Sequence, residues 1–577
     1  MSVCEHPVSS DYYADFLTQY AYRSMDELFA RIGTHCLDFI NQQYAVAYIP
    51  MAQAQPITIS RYTYFSIPRL YGLLDTTALE SSGIPPVINQ PALNATGRGV
   101  LIGMIDTGIE YTNPLFRKAD GTSRILRIWD QTIESGRHTE ATETDQTSPL
   151  YGTIYTKEDI DRALASDTPY EIVPSRDTDG HGTFMAGVAA ANQITQPISF
   201  SGAAPEAELA IVKLKPAKKY LRDFYLINED AVAYQENDIM MGVRYLLEVA
   251  EQMRLPLVIY IGLGTNQGGH TGNTPLSVQL QEISGAHGIA IAVPAGNEVG
   301  YHHHYFGSLT PSQVYDDVEI RVAQGETGFC LELWSSIPEL YTVGFVSPSG
   351  EVIDPIPMII SNETIIDLRL DATTLTVNYR LAETGSRDQL IFMRFDHPSP
   401  GIWHVRVYPM LNLSRQFNMW LPMHGFLSDD TAFLRPDPDI TITDPGNALM
   451  PLTVSAYDHT INSIYIHSSR GYTRSNDIKP DIAAPGVNVQ GPALSSVDLP
   501  ETPEFTQRSG TSVATAIAAG AIADLFTWGL VDGNEPNLDD SSVIAMLIRG
   551  ANRNPALEYP NREWGYGTIN LYQSLRL

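Results

Sequence analysis

At 577 residues the chain exceeds what one hydrophobic core can organise, and its length fits roughly two to four domains. With 43% hydrophobic and 18% charged residues, its composition is that of an ordinary globular protein. Its 36 Lys and Arg against 66 Asp and Glu leave a net charge of −30, which argues against nonspecific nucleic-acid binding, a property built on cationic contacts to phosphate.

Cys4, Cys36 and Cys330 are odd in number, far apart and without CxxC spacing. Neither a disulfide framework nor a thiolate metal site is therefore expected. Residues 1–16 mix Asp, Glu and His with no apolar run, so no secretion signal is visible. No run of about 18 apolar residues is evident, so no spanning helix is expected. The expectation is a protein held inside the cell, without membrane or metal.

In chain order, residues 12–65 have the texture of a small α/β unit. Ser24-Met25-Asp26-Glu27 is a capping-box pattern, and apolar residues from Leu28 to Ile40 recur at helical spacing. Tyr44–Ile49 and Ile57–Phe65 are β-prone, with a connection at Pro50–Pro56. Ile67-Pro68 and Ser82-Gly83-Ile84-Pro85-Pro86 mark a linker. Gly99 to Gly108 then encloses an apolar run ending in Asp106, the pattern of a buried parallel strand. Residues 130–178 are mostly polar and predict an elaborated loop with a short helix near Asp159–Ala165. Leu209–Lys213, Leu257–Ile261 and Ile289–Val293 predict further buried strands, with a helix over Asn237–Glu251. The alternation argues for a doubly wound, mainly parallel α/β sheet. Short alternating strands at Phe329–Trp334, Tyr341–Val346, Leu375–Tyr379 and Trp403–Val407 interrupt it as an all-β sandwich pattern, before the α/β style resumes near Leu452.

Four stretches carry chemistry. Asp106 ends a strand where α/β sheets gather their ligand and catalytic groups. His181 lies between Gly180 and Gly182 at a helix start, and glycines let other groups approach an imidazole closely. Asn297 follows Pro294-Ala295-Gly296 at another strand end, so its amide can face a cleft. Gly510-Thr511-Ser512 opens a run of small apolar residues, placing a hydroxyl at a helix N-terminus where unpaired N–H groups favour negative charge. Each alone also fits a structural role: a turn aspartate, a satisfied histidine, a tight turn. His302-His303-His304 lacks a shared face and carboxylate spacing, so it reads as polar surface or cleft rim rather than a metal site.

Taken together and in order, Ile105-Asp106-Thr107-Gly108, Gly180-His181-Gly182-Thr183, Pro294 to Asn297 and Gly510 to Ala514 resemble the subtilisin-like serine proteases, and Lys479 to Gly486 resembles another stretch of that family. More narrowly, the sequence resembles the Csp subtilases of clostridial spores, in Trp129-Asp130-Gln131 and Ser468 to Lys479 as well. The resemblance implies Ser512 as nucleophile, His181 as general base, Asp106 as its orienting acid and Asn297 in the oxyanion hole. Gly262-Leu263-Gly264, with Ala295 and Gly296, would bind substrate backbone. Gly262 departs from the usual serine, Phe184 from a second histidine and Ala516 from a proline.

The implied organisation is a prodomain over 1–75, a catalytic domain in two parts over 76–304 and 446–577, and an inserted jelly-roll-like sandwich over 305–445. A prodomain of this kind acts as an intramolecular chaperone and inhibitor, and self-cleavage is expected within residues 60–95. The implied activity is peptide-bond hydrolysis on a protein or peptide substrate without a cofactor, in an intracellular or spore-associated setting. In that group the substrate is the precursor of a cortex-degrading hydrolase, cleaved at germination. A catalytically silent sensor on the same scaffold and a general intracellular subtilase remain open readings.

Overall fold

The computed structural model describes residues 7–8, 10–20, 36–73, 80–88, 90, 93, 95–134, 151–359, 363–411 and 413–576. At its centre lies a nine-stranded sheet whose parallel members are the predicted apolar runs. Leu101–Asp106 is flanked by Leu257–Ile261 on one side and Glu208–Lys213 on the other. Beyond these come Ile289–Pro294, Leu452–Asp458 and Ile482–Pro485 in one direction, and Ile125–Asp130 in the other. Thr153–Thr156 and Ser463–Ile464 add antiparallel pairings at the margins. Leu101–Asp106 and Leu257–Ile261 are buried at every position, because helices cover both faces of the sheet.

One face is covered by the helices His181–Ala190 and Thr511–Phe526, the other by Glu236–Met253 and Pro275–Ile283. The first two are Ala-rich and buried all round, as expected of helices with no solvent stripe. Their closeness is set by side-chain size: a Cβ on Gly520 would sit 2.3 Å from the Ala203 Cβ and 2.8 Å from the Ala189 carbonyl. By length and composition alone Thr511–Val531 could cross a membrane, but it is buried inside the protein almost throughout, as a core helix is.

The N-terminal unit is a three-stranded antiparallel sheet in the order Tyr13–Gln19, Tyr44–Pro50, Leu37–Phe39. Leu17, Tyr44, Val46 and Tyr48 pack it onto the face formed by Glu236–Met253 and Pro275–Ile283. Most of the helix expected up to Ile40 lies outside the described residues, and its last part is a strand, because Leu37–Phe39 pairs with Ala45–Ala47. The strand expected over Ile57–Phe65 does not form. That segment is irregular, ends in a 3-10 turn at Tyr64–Ser66, and its apolar residues are buried between three units. Ile84–Ile88, expected as linker, is a short helix; its prolines lie in the first turn, where no backbone N–H is needed. The cysteine expectation also changes: Cys36 is disulfide-bonded, while Cys330 is a buried thiol.

Between the two halves of the main fold stand two packed antiparallel sheets. One runs His304–Ser308, Gln416–Trp420, Gly328–Ser335, Gln389–Asp396, Thr373–Arg380, Glu363–Leu368. The other runs Val352–Ile353, Tyr341–Val346, Gly401–Pro409, Asp316–Val322, Ala432–Phe433. Their inner faces share one core that includes Phe329, Phe345, Phe395 and Trp403. The sandwich, the N-terminal unit and the main fold meet at a buried joint. Tyr64 donates to Glu332 of the sandwich, and Arg69 pairs with Glu236 of the main fold at 3.1 Å. Close by, burial pushes the Asp444 carboxyl up to about 7, with the Arg69 charge pulling it back.

Candidate active site

Asp106 closes its strand at the carboxyl edge of the sheet, fully buried. Its Oδ1 accepts the Thr107 N–H at 2.7 Å and lies 2.7 Å from His181 Nδ1; Oδ2 lies 2.9 Å from the same nitrogen. With Nδ1 donating to this carboxylate, Nε2 carries the lone pair of the neutral ring. His181 begins its helix after Gly180, whose φ of +86° is a left-handed value that glycine adopts freely. Gly182 is small because it must be: a Cβ there would sit 2.2 Å from the Gly108 carbonyl and 3.2 Å from Asp106 Oδ1.

Asp177 organises this corner, and the sequence reading passed over it. One oxygen accepts from the Thr107 hydroxyl and the Gly180 N–H, both at 2.9 Å, and from the Asp179 N–H at 3.1 Å. The other accepts from the Thr183 N–H and hydroxyl at 2.9 and 2.7 Å. The carboxylate thereby caps a helix whose own N-cap residue has no side chain. The available signal was an aspartate four residues ahead of a histidine flanked by glycines.

Ser512 stands in the first turn of the Thr511–Phe526 helix, fully buried. Its Oγ donates to the Gly262 carbonyl at 3.3 Å, and its own carbonyl accepts from the Tyr260 hydroxyl at 3.1 Å. Asn297 Oδ1 accepts the Thr511 N–H at 3.0 Å, which turns the NH2 end of the amide away from the helix. Asn297 and His181 line one cavity of about 630 Å³. Ala295 and Gly296 contribute shape, because their backbone groups are engaged internally. Ala295 N–H donates to Val454 and its carbonyl accepts from Thr443; Gly296 N–H donates to Thr511 Oγ1 and its carbonyl accepts from Ser469.

Gly262 has a physical reason. A Cβ at this position would lie 2.5 Å from the Tyr260 hydroxyl and 2.6 Å from Asp106 Oδ2, so the phenol fills the space a side chain would take. Burial and the Asp106 carboxylate both raise the Tyr260 pKa, keeping the phenol protonated as a donor. Leu263–Gly264 forms a short strand, and its partner belongs to this same chain. Leu70–Leu73 runs antiparallel to it, with Leu73 opposite Leu263 and Gly72 opposite Gly264. On its other edge Leu70–Leu73 pairs with Tyr234–Gln235, a groove wall that sequence reasoning missed because two residues show no periodicity.

The histidine run is only in part a surface feature. His302 is exposed, but His303 and His304 are buried, with His304 stacked on Trp420 at 4.8 Å and His303 Nδ1 3.5 Å from Glu298. Among the described residues no group of three His, Cys, Asp or Glu is arranged to hold a metal.

Comparison with known proteins fits this geometry. The subtilase family matches residues 97–316 and 436–567, more than half of the sequence, and the protein belongs to that family. Among solved structures it is similar to the CspB protease of Clostridium perfringens, with a TM-score of 0.74 and 29% identity over 86% of this chain and 96% of that one. It is also similar to two proteins of Arabidopsis thaliana. Subtilisin-like protease SBT3.3 is 23% identical over 78% of this chain, and subtilisin-like protease SBT1.9 is 28% identical over 34% of it. The chain spans 59% and 25% of the length of these two plant relatives.

Proposed function

We propose that the protein is a serine endopeptidase that first cuts its own chain. The observation that carries this reading is the strand Leu70–Leu73, laid antiparallel on Leu263–Gly264 as an extended peptide substrate would be, beside the carbonyl that holds Ser512 Oγ. In the reaction, His181 Nε2 takes the Ser512 proton as the oxygen attacks the peptide carbonyl, and then gives it to the leaving amine. Asp106 keeps the proton of the ring on Nδ1 and stabilises the imidazolium that forms. The Asn297 amide and the Ser512 N–H bind the oxyanion, the first helix turn adding its field. Water then repeats the sequence on the acyl-enzyme.

The self-cleavage bond follows the paired strand, beyond Leu73 and before the helix at Ile84. The N-terminal piece stays attached afterwards through Tyr64 and Arg69, which are buried in the three-way joint and bound there by Glu332 and Glu236, while its cut end at Leu70–Leu73 leaves Leu263–Gly264 to admit a substrate. The likeness to a CspB protease supports a protease of that kind, and the Csp-like motifs of the sequence suggest as its substrate the precursor of a cortex-degrading hydrolase. Incubation with a fluorophosphonate probe tests the chemistry. The expected adduct maps to the peptide containing Ser512 and is lost in His181→Ala. Labelling of the wild type elsewhere, or not at all, contradicts the proposal.

A further inference from the structure

Two cavities are walled by the segment that leads into Ser512, and neither is lined by Leu70–Leu73 or Leu263–Gly264. The first is the 630 Å³ cavity of His181 and Asn297, walled also by Gln507–Ser509 and by Met423 and His424 from the segment that follows the sandwich strand Gln416–Trp420. The second, of about 420 Å³, lies against the first across a shared wall of Asn488 and Gln507. Its lining is mixed: Ile84, Pro85, Ile88, Phe200 and Val489 are apolar, and the rest is mostly amides and hydroxyls together with His459. Among the described residues, no Asp, Glu, Lys or Arg lines it, although the sequence holds 66 Asp and Glu. The hairpin of Val489–Pro492 and Phe505–Arg508, with Gln490 opposite Gln507, forms the common wall.

We propose that this second cavity is a specificity subsite for a bulky apolar residue on the leaving-group side of the scissile bond. The inference rests on the protease reading above and adds a substrate class to it. Direction comes from the strand pairing. Leu70–Leu73 runs from Gly264 towards Gly262, so the N-terminal half of a substrate fills that groove and the C-terminal half leaves past Ser512. The segment it meets is Gln507–Ser509, which immediately precedes the nucleophile and walls the first cavity. The protein's own backbone lies on both sides of this path. Leu73 stands on the acyl side, and the helix Ile84–Ile88 forms the far wall of the second cavity. The volume falls in the range of side-chain and small-ligand pockets, roughly 300–1,000 Å³. Burying a Leu or Phe side chain there favours such substrates by roughly ten- to a hundredfold in kcat/KM.

The test uses the self-processed full-length protein and two kinds of substrate sharing one acyl half. Peptides carry Leu, Phe, Ser or Asp in turn at each of the first four positions after the bond. An anilide with the same acyl half has no residue beyond the leaving group. The expected result is a roughly ten- to hundredfold preference for Leu and Phe over Asp at one position. Val489→Lys should cut the ratio of Leu-peptide to anilide kcat/KM by a similar factor. Ile88→Lys, at a half-buried wall position, reads the same ratio should the first variant not fold. Anilide hydrolysis with no preference at any of the four positions, or a ratio indifferent to both variants, overturns the subsite alone. Absence of anilide hydrolysis by the wild type overturns both readings.

Discussion

The two halves of the candidate site are held in different ways. Asp106 and His181 are fixed by side chains: Asp177, Thr107 and Thr183 supply the hydrogen bonds that set the start of the imidazole helix. Ser512 and Asn297 are fixed largely through backbone: the Thr511 N–H, the Gly262 carbonyl and the Ser512 carbonyl make the contacts. The first half is thus open to damage at residues that never meet substrate. The second tolerates most side-chain change and depends on where small residues leave room.

Predictions that sharpen this contrast begin with the oxyanion. Asn297→Ala removes the amide donor while its other contact is a single hydrogen bond to Thr511. Steady-state kinetics should show kcat lower by about 10²–10³ with little change in KM. An equal loss in KM instead would place the amide in ground-state binding.

Next in size is a pH effect outside the site. Burial raises the Asp444 carboxyl from 3.8 to about 7. A carboxyl that keeps its proton longer when folded stabilises the fold fully below its unfolded value of 3.8, and that contribution is lost as pH rises through about 7. Asp444→Asn mimics the protonated form. In thermal unfolding it should match wild type near pH 4 and exceed it at pH 8, by an amount on the order of 2–4 kcal/mol. Parallel pH profiles for the two proteins would sink the claim.

Asp177→Ala leaves the donors on Thr107, Asp179, Gly180 and Thr183 without their acceptor. Denaturant unfolding should show a loss of about 2–3 kcal/mol, and kcat should fall although Asp177 touches neither substrate nor Ser512. A fall in stability with kcat intact would show that His181 does not need this cap.

The smallest effect concerns Tyr260 and Gly262. Gly262→Ser alone meets the phenol and should cost about 1–3 kcal/mol by overpacking, whereas Tyr260→Phe alone loses one hydrogen bond, worth about 1 kcal/mol. Tyr260→Phe also removes the oxygen that the new serine would strike, so the double variant should be less destabilised than the sum of the singles. Strict additivity would mean that the two positions do not compete for one space.

How much of this was legible follows from the kind of signal each part leaves. Parallel strands buried on both faces must be continuous apolar runs, so Leu101–Asp106, Leu257–Ile261 and Ile289–Pro294 stood out with the polar residues at their ends. Asp106, His181, Asn297 and Ser512 were marked by the glycines that close approach requires. Ile57–Phe65 misled because its apolar residues answer to three neighbours at once rather than to one sheet face. Leu70–Leu73 and Tyr234–Gln235 are too short for any pattern, and their pairing depends on a groove made elsewhere in the sequence. His303 and His304 read as surface because burial of an imidazole depends on distant stacking partners, Trp420 among them. Asp177 was hidden for a similar reason: its role as a shared acceptor joins two separate loops.

The central claim is that Ser512 cuts the segment that lies in its own groove. It is tested most directly by denaturing electrophoresis and N-terminal sequencing of freshly purified wild type beside Ser512→Ala. The account predicts two wild-type fragments that stay together in native gel filtration, with the new N-terminus between Leu73 and Ile84, and one uncut polypeptide for the variant. An intact wild-type polypeptide, or the same cut in Ser512→Ala, would contradict it.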